Sequence, residues 1–559
     1  VAAARSGALD AVWMLCERGA KANKISKKTN DFALGIAAKN GKWRVCGELF
    51  KKGADVYLEN DLHETPLHCA ALSDDEDTIT CLLSQCGAVV DHQNELGETS
   101  LFFAARDNKV IACLTLLSHG AADGLAQKGS GYTPLMIAIE NRNIDCIEVL
   151  LEAGASVVQL DENNETSAMK AVRAKNCIAL KRILEIVDSE SDLHKYLSTE
   201  SVTGETALTI ACKANSLDVV NILLDSEPTL LTQESKISSN TALLAAIDGD
   251  SVQTLDLLLS RVISTCDENN EDEIKIARDI IDYENKIGHT ALVRACLLGH
   301  QDCVRLILDT NLCDVNRESD TPCGEANVTL TPLFAAIEGK NARPIIAGLF
   351  DRGCDINRRN RDGITAVMHA ALLGRTQYIV SLAGYGGDVN QATLKSMRGE
   401  TQENVQEEKG DTSTTIVQNS ALIAAVLKKK YDVVEFLERS SPERDVEINS
   451  TTALFASIES MENDDDDKMI KLLLSFGEDP AFESSDGRTA LSVAALIGNF
   501  SIMKLLMKHS KHLNINSQNR DGLTVLSILA LAGKNEAIKT ICSAPFNADP
   551  NFVDRNGRT

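Results

Sequence analysis

The sequence predicts an all-α protein, a solenoid in which short helix pairs stack side by side into a curved superhelix. Three observations favour this fold class. A motif that begins with Thr recurs at nearly constant spacing, each period contains two short segments with helical periodicity, and aromatic residues make up only 4% of the chain. Such a pattern is typical of repeat architectures, because a single helix pair cannot bury its apolar face without a neighbour.

The best-preserved copy of the motif is Thr65-Pro66-Leu67-His68-Cys69-Ala70-Ala71. Its first residues predict a helix start. The Thr65 hydroxyl can accept from a free amide of the first turn, and Pro66 at the first helical position has no amide to lose. Leu67 is expected to point into a core. The two alanines that end the motif are small enough to let a neighbouring helix pack closely.

The capping position repeats along nearly the whole chain. It falls first at Thr65, Thr99, Thr133 and Thr166, which are 34, 34 and 33 residues apart. It continues at Thr206, Thr241, Thr290, Thr331, Thr365, Ser420, Thr452, Thr489, Thr524 and Thr559. Residues 32–34 fill the same frame before Thr65. A fixed period in this range indicates a solenoid.

Residues 133–163 show the pattern within one period. Thr133-Pro134-Leu135 opens a first helix, and the polar run 141–143 ends it. A second apolar face begins at Ile144, and Gly154 is placed to close that second helix in the left-handed conformation. Turn-forming residues then lead to the next Thr, which predicts a protruding hairpin.

Unequal spacing between caps indicates insertions in one continuous array over residues 1–559. We expect the array to be a window on a longer protein, because the sequence starts inside a repeat and stops where another begins. The predicted divisions are a partial first repeat and loop at 1–31, regular repeats at 32–185, repeats with insertions at 186–330 (about 186–203, 267–285 and 311–328), regular repeats at 331–390, a mobile insertion at 391–418 and regular repeats at 419–559, the last one cut off.

These features resemble the ankyrin repeat family, whose repeats share the Thr-Pro-Leu-His-x-Ala-Ala motif, a Val-x-x-Leu-Leu helix and a Gly-Ala-Asp-Val-Asn ending. Besides the copy at Thr65, residues 304–308, Gly53-Ala54-Asp55-Val56 and Cys354-Asp355-Ile356-Asn357 match this pattern. Most copies are degenerate, since Pro follows the cap only at Pro66, Pro134 and Pro332 and the motif His survives only as His68. The resemblance implies that His68 joins neighbouring turns by a hydrogen bond. It also implies that hairpin tips and exposed first-helix positions bind partners.

Composition excludes several classes of function. The 56 basic and 81 acidic residues give a net charge of −25, which opposes binding to nucleic acid or to an anionic membrane surface. No apolar run is long enough to cross a bilayer. The 16 cysteines include no Cys-x-x-Cys pair and occur within helical patterns, so we expect reduced core thiols and a cytoplasmic protein.

We expect no catalytic, cofactor or metal site. His509 and His512 could share a helix face, but no third ligand accompanies them, and solvation is the favoured interpretation. Residues 384–387 are glycine-rich but follow a helix, which predicts a helix end and not a phosphate loop. The acidic run Asp464–Asp467 lacks the spacing of a calcium loop.

One hairpin tip stands out by its charge. Arg358, Arg359, Asn360 and Arg361 lie together in an otherwise acidic chain, and Arg317 lies about one repeat earlier. Guanidinium groups in such an arrangement can bind carboxylates or phosphates of a partner. The alternative is a solvated hairpin that balances its acidic neighbours.

The favoured function is therefore a non-catalytic scaffold that binds several proteins within a large cytoplasmic assembly, with a cytoskeletal structure suggested by analogy. A second hypothesis is a regulatory or targeting arm of an enzyme, such as a kinase, or of a channel, whose working domain lies outside this sequence. Catalysis by the array itself is disfavoured, because no nucleophile, base and orienting group fall at matching positions. The sequence leaves the oligomeric state open.

Overall fold

The structure, a computed structural model, describes residues 1–26, 31–190, 192–264, 270–319, 322–323, 328–389, 420–440, 452–460, 467–485, 487–510, 513–543 and 546–553. The predicted insertion at 391–418 lies outside these residues, as do Asp464–Asp466, His512 and Thr559. The chain divides into two compact units, Val1–Asp267 and Glu268–Thr559.

Unit 1 is a row of helix pairs. A short turn joins the two helices of a pair, and a longer loop leads to the next pair. The pairs are Ala2–Ser6 with Leu9–Glu17, Ala33–Lys39 with Trp43–Lys51, Pro66–Ala71 with Glu76–Thr80, Ser100–Arg106 with Val110–Ser118, Pro134–Glu140 with Ile144–Glu152, Ser167–Arg173 with Cys177–Glu190, Ala207–Lys213 with Leu217–Ser226, and Ala242–Asp248 with Val252–Ser264. The helix Glu76–Thr80 continues as a π-helical turn, Cys81–Gln85.

Unit 2 has the same organisation. Its pairs are Ala291–Leu298 with Gln301–Asp309, Pro332–Glu338 with Ala342–Asp351, Ala366–Leu373 with Thr376–Gly384, Ala421–Leu427 with Tyr431–Ser440, Ala453–Glu459 with Lys468–Phe476, Ala490–Ile497 with Phe500–His509, and Val525–Leu531 with Asn535–Ile541. A helix pair thus follows each described capping position, and the predicted all-α solenoid is confirmed.

The insertions carry additional elements. Helix Leu193–Leu197 lies in the first insertion, and the 3-10 helix Pro228–Thr232 follows a later second helix. Helix Glu271–Ile281 occupies the second insertion. In the third insertion, Pro322–Cys323 and Val328–Thr329 pair as short antiparallel strands.

Hydroxyl side chains begin the first helices. Thr99 Oγ1 accepts the N–H of Phe102 at 3.2 Å. The same bond to the third helical residue forms at Thr133, Thr166, Thr206, Thr241, Thr290, Thr331, Thr365, Ser420, Thr452, Thr489 and Thr524. Each bond satisfies one amide that the helix start leaves unpaired, so these residues locate the helix starts.

The core lies between successive helix pairs. Large side chains such as Phe102, Phe334 and Phe455 are fully buried between repeats, and alanines occupy the close helix contacts. Cys113, Cys146, Cys212 and Cys296 are free and buried, whereas Cys69 is half-buried. These thiols therefore pack as small apolar side chains.

Candidate partner-binding surface

The hairpin that carries the predicted arginines is closed by its own residues. Asn360 N–H donates to Ile364 O at 3.0 Å, and Asn360 Oδ1 accepts the Ile364 N–H at 2.9 Å. Gly363 N–H donates to Asn360 O at 2.8 Å, with Gly363 at a φ of 76° that favours glycine. The tip is thus held in one conformation by local hydrogen bonds.

Asn360 also joins this hairpin to the preceding strand. Its Nδ2 donates to Thr329 O at 2.9 Å, while Asp362 accepts the Thr329 N–H at 2.8 Å. Only 5% of Asn360 is exposed. Its amide therefore serves the hairpin and does not face solvent, unlike the arginines on either side of it.

We name Arg358, Arg359 and Arg361 the arginine tip. Arg358 and Arg361 are exposed and Arg359 is half-buried. The backbone N–H of Arg361 donates to the Glu318 carboxylate, and both Arg359 and Arg361 have further interactions within the protein. Glu318 thus fixes the backbone of the arginine tip, and Arg358 is exposed to solvent.

Arg317 lies in the neighbouring loop. Its N–H donates to Asp314 O at 3.1 Å, and the Asp314 N–H donates to Asp282 Oδ2 at 3.0 Å. Burial raises the pKa of the Asp282 carboxyl, and the hydrogen bond from Asp314 and the nearby Arg317 charge offset part of that rise. The charge of Arg317 therefore favours the ionised form of Asp282.

A further arginine in unit 2 had no distinguishing sequence signal. Arg352 Nη1 donates to Leu308 O at 2.7 Å and to Asn311 Oδ1 at 2.6 Å, and its guanidinium also pairs with Asp309. Leu308 and Asn311 lie at the end of the preceding second helix. Arg352 thus joins two adjacent repeats at that end.

His68 forms the inter-repeat bond that the family resemblance implies. The Thr65 N–H donates to His68 Nδ1 at 3.1 Å, so the proton resides on Nε2, which lies 3.0 Å from Glu98 O in the next repeat. The ring also meets Phe103 edge to face at 5.2 Å. Burial lowers the pKa of His68 to about 4, and the buried imidazole is therefore neutral near pH 7.

A buried ion cluster in unit 1 was missed by the sequence analysis. Lys170 Nζ lies 2.7 Å from Asp161 Oδ2, 2.6 Å from Glu165 Oε2 and 2.9 Å from Tyr132 Oη. Lys170 is only 5% exposed. The sequence marks only Lys170 itself, a charged residue at the motif position that holds Cys69 in the best-preserved copy, and does not identify its partners.

The cluster extends outward along the repeats. Arg173 Nη2 lies 2.7 Å from Glu165 Oε1 and 2.8 Å from Glu205 Oε2, and Lys213 Nζ lies 3.3 Å from Glu205 Oε1. Burial alone would lower the pKa of Lys170, but hydrogen bonds to Asp161, Glu165 and Tyr132 outweigh burial and raise it. The charged side chains in this part of unit 1 therefore form ion pairs with one another.

The remaining residues considered in the sequence, as far as the structure describes them, lie at helix ends. Gly384 is the last residue of helix Thr376–Gly384, as predicted for a helix end. Asp467 lies at the start of helix Lys468–Phe476, and its Oδ2 is 2.6 Å from Lys471 Nζ. His509 ends its helix, and its predicted neighbour His512 lies outside the described residues.

These features define a solenoid of hydroxyl-capped helix pairs joined by hairpins. A family model for ankyrin repeats (3 copies) matches residues 1–94, 73–161, 168–272, 265–360 and 454–554. The chain belongs to the ankyrin repeat family, since the matches cover well over half of it. Ankyrin repeats generally bind other proteins and are not catalytic, which assigns protein binding as the function class.

Several curated proteins share parts of the array. The transient receptor potential cation channel subfamily A member 1 homolog of Caenorhabditis elegans is 27% identical over 199 residues, 34% of this chain and 15% of the relative. The putative palmitoyltransferase ZDHHC13 of Danio rerio is 28% identical over 191 residues, 34% of this chain and 28% of the relative. The target of rapamycin complex 2 subunit AVO2 of Saccharomyces cerevisiae is 30% identical over 133 residues, 23% of this chain and 30% of the relative.

The chain matches less than a third of the length of each of these relatives. Within the part of the chain that the structure describes, no helix combines the length and the hydropathy needed to cross a bilayer.

Proposed function

We propose that this chain is a non-catalytic scaffold that binds several proteins in a large cytoplasmic assembly. The observation that carries the proposal is that the hairpin tips expose different side chains, although the repeats share one architecture. Leu62 and Leu96, on adjacent tips, are 56% and 54% exposed, and the Glu95 N–H donates to Leu62 O at 3.3 Å. Exposed apolar side chains held side by side are typical of a protein-binding surface.

In unit 2, the arginine tip is the hairpin for which a partner chemistry can be proposed. Guanidinium groups on a fixed hairpin favour carboxylates or phosphates, because their forked donors bind two oxygens at once. We therefore expect an acidic partner segment at Arg358, Arg359 and Arg361.

Charge reversal tests the arginine tip. Arg358, Arg359 and Arg361 are changed to Glu, and neighbours of the full-length protein are captured by proximity cross-linking and identified by mass spectrometry. We expect acidic partners to be lost from the reversed variant and retained by Arg305→Glu, a control at an arginine whose side chain is 79% exposed on a second helix. The single variant Arg358→Glu separates a binding defect from misfolding, since Arg358 is exposed.

Two outcomes would count against the proposal. Unchanged capture by the reversed variant would remove the arginine tip from the binding surface. A set of neighbours that contains only soluble metabolic enzymes, with no filament or assembly component, would contradict the scaffold and its suggested cytoskeletal setting.

A second candidate function is a regulatory or targeting arm of a channel or enzyme. It is favoured by the relatives, which are named as a cation channel and a palmitoyltransferase and extend far beyond the matched segments. Sequencing the complete transcript tests it. A transmembrane or catalytic domain in the same reading frame would support this candidate, and a transcript with repeats alone would reject it.

A further inference from the structure

Two thiols from adjacent repeats lie in contact inside unit 1. The Sγ atoms of Cys113 and Cys146 are 3.7 Å apart, and neither residue is exposed. Cys113 lies on helix Val110–Ser118 and Cys146 on helix Ile144–Glu152, the second helices of neighbouring pairs. A covalent bond at this position would add to the packing and to the hydrogen bonds from Asn143 Nδ2 to Ala105 O and Arg106 O that already join these two repeats.

The surroundings hold both sulfurs in place. Asp74 Oδ1 accepts the Ala112 N–H at 2.9 Å beside Cys113, and Cys146 Sγ lies 3.9 Å from Ala104 O. The two Sγ atoms, 3.7 Å apart, must approach to about 2.0 Å to bond.

We propose that Cys113 and Cys146 form an oxidation site, at which a hydroperoxide converts the two thiols into a disulfide bond between adjacent repeats. The inference goes beyond the proposed scaffold function, since it concerns how the array itself is held together. In a reducing compartment the pair rests as two thiols.

The reaction balances with one peroxide. The first sulfur attacks the O–O bond of hydrogen peroxide and becomes a sulfenic acid, while the second oxygen leaves as water. The other sulfur then displaces the hydroxyl from the sulfenic sulfur, the S–S bond forms and a second water leaves. The two thiols together lose two electrons, and the peroxide gains these two electrons.

The two thiols influence each other's acidity. The hydrogen bond from Cys113 lowers the pKa of the Cys146 thiol, although burial opposes this, and the same contact raises the pKa of Cys113. The linkage requires no fixed order of attack, because either sulfur can form the sulfenic acid and the other can then displace its hydroxyl. Because both sulfurs are buried, peroxide reaches them when neighbouring repeats separate locally.

The experiment maps the bond in the intact chain. The reduced protein is treated with hydrogen peroxide, remaining thiols are blocked with N-ethylmaleimide, and peptides from a digest without reductant are identified by mass spectrometry. We expect a Cys113–Cys146 peptide pair that disappears on reduction. We also expect slower proteolysis between these two helices in the oxidised chain than in the reduced one.

Matched variants and conditions complete the test. Cys146→Ala should abolish the linked peptide, and Cys212→Ala should leave it unchanged, because Cys212 lies on helix Ala207–Lys213 of another repeat. The identification of linked peptides in the wild-type protein does not depend on whether any variant folds. The proposal is overturned if Cys113 and Cys146 both carry the maleimide label after peroxide treatment, or if their linkage appears only in urea.

Discussion

Single polar residues inside this array bind groups in a neighbouring repeat. His68 reaches Glu98 O, and Lys170 reaches Tyr132 Oη. Each is almost fully buried, so the polar group depends on that partner for its hydrogen bonds. Residues of this kind couple adjacent repeats more specifically than aliphatic packing does.

His68 should make stability depend on pH. The pKa of His68 is about 4 in the folded chain and about 6.5 in the unfolded chain. Between these two pH values His68 is therefore protonated in the unfolded chain and neutral in the folded chain. The free energy of unfolding should therefore fall as the pH falls from 6.5 to about 4, by on the order of 3 kcal/mol from this residue. Urea unfolding of wild type and His68→Gln at several pH values measures it. Parallel pH curves for the two proteins would contradict this assignment.

Lys170 should be far more sensitive to substitution than an exposed lysine. Lys170→Met leaves the carboxylates of Asp161 and Glu165 buried without their cation, which should lower the free energy of unfolding by about 3–5 kcal/mol. Lys213→Met is the control, since the Lys213 side chain is 55% exposed and such pairs contribute about 1 kcal/mol or less. Equal losses in chemical denaturation would show that the Lys170 cluster is not a buried ionic site.

At the scale of elements, the helix starts and the hairpins could be predicted to different extents. The helix starts depend on local signals, a hydroxyl followed by apolar periodicity, and the described pairs from Pro66 onward were located from these, whereas the first two pairs follow Val1 and Phe32. The hairpins depend on contacts across repeats. The cluster at Asn360 was therefore selected for its charge, whereas the structure shows that Asn360 itself is buried and binds Thr329 O.

Asn360 should be needed for the conformation of its hairpin. Asn360→Ala removes the acceptor of the Ile364 N–H and the donor to Thr329 O, which should lower the free energy of unfolding by about 1–3 kcal/mol. Hydrogen exchange of the Ile364 amide should accelerate. The Leu523 amide, which donates to Asn519 Oδ1 at 2.8 Å in an equivalent hairpin, is the internal control. Unchanged exchange at Ile364 would contradict the role assigned to Asn360.

Other features could not be predicted because they need the three-dimensional register of the repeats. The π turn Cys81–Gln85 interrupts a helix whose sequence shows ordinary periodicity. Tyr132 and Lys170 are 38 residues apart, and their contact depends on how two repeats stack. Cys113 and Cys146 are 33 residues apart, which matches the repeat period, yet their sulfur contact depends on the rotation of both helices.

For the whole molecule, stability should be local, because each repeat contacts mainly its neighbours. The two compact units, Val1–Asp267 and Glu268–Thr559, should each fold when expressed separately. Circular dichroism should show helical content in both fragments. Hydrogen exchange near His68 should match that of the intact chain. A fragment that loses protection throughout would show that stability is shared across the whole chain.

The buried inter-repeat bonds also bear on how such a gene can change. Lys170 requires Tyr132 in the repeat before it and Asp161 in the loop that joins them. Recombination that exchanged this repeat with another would carry the ammonium away from Tyr132 and place it against a foreign neighbour. The repeats share one architecture but are not interchangeable, and their order along the chain is itself an inherited property.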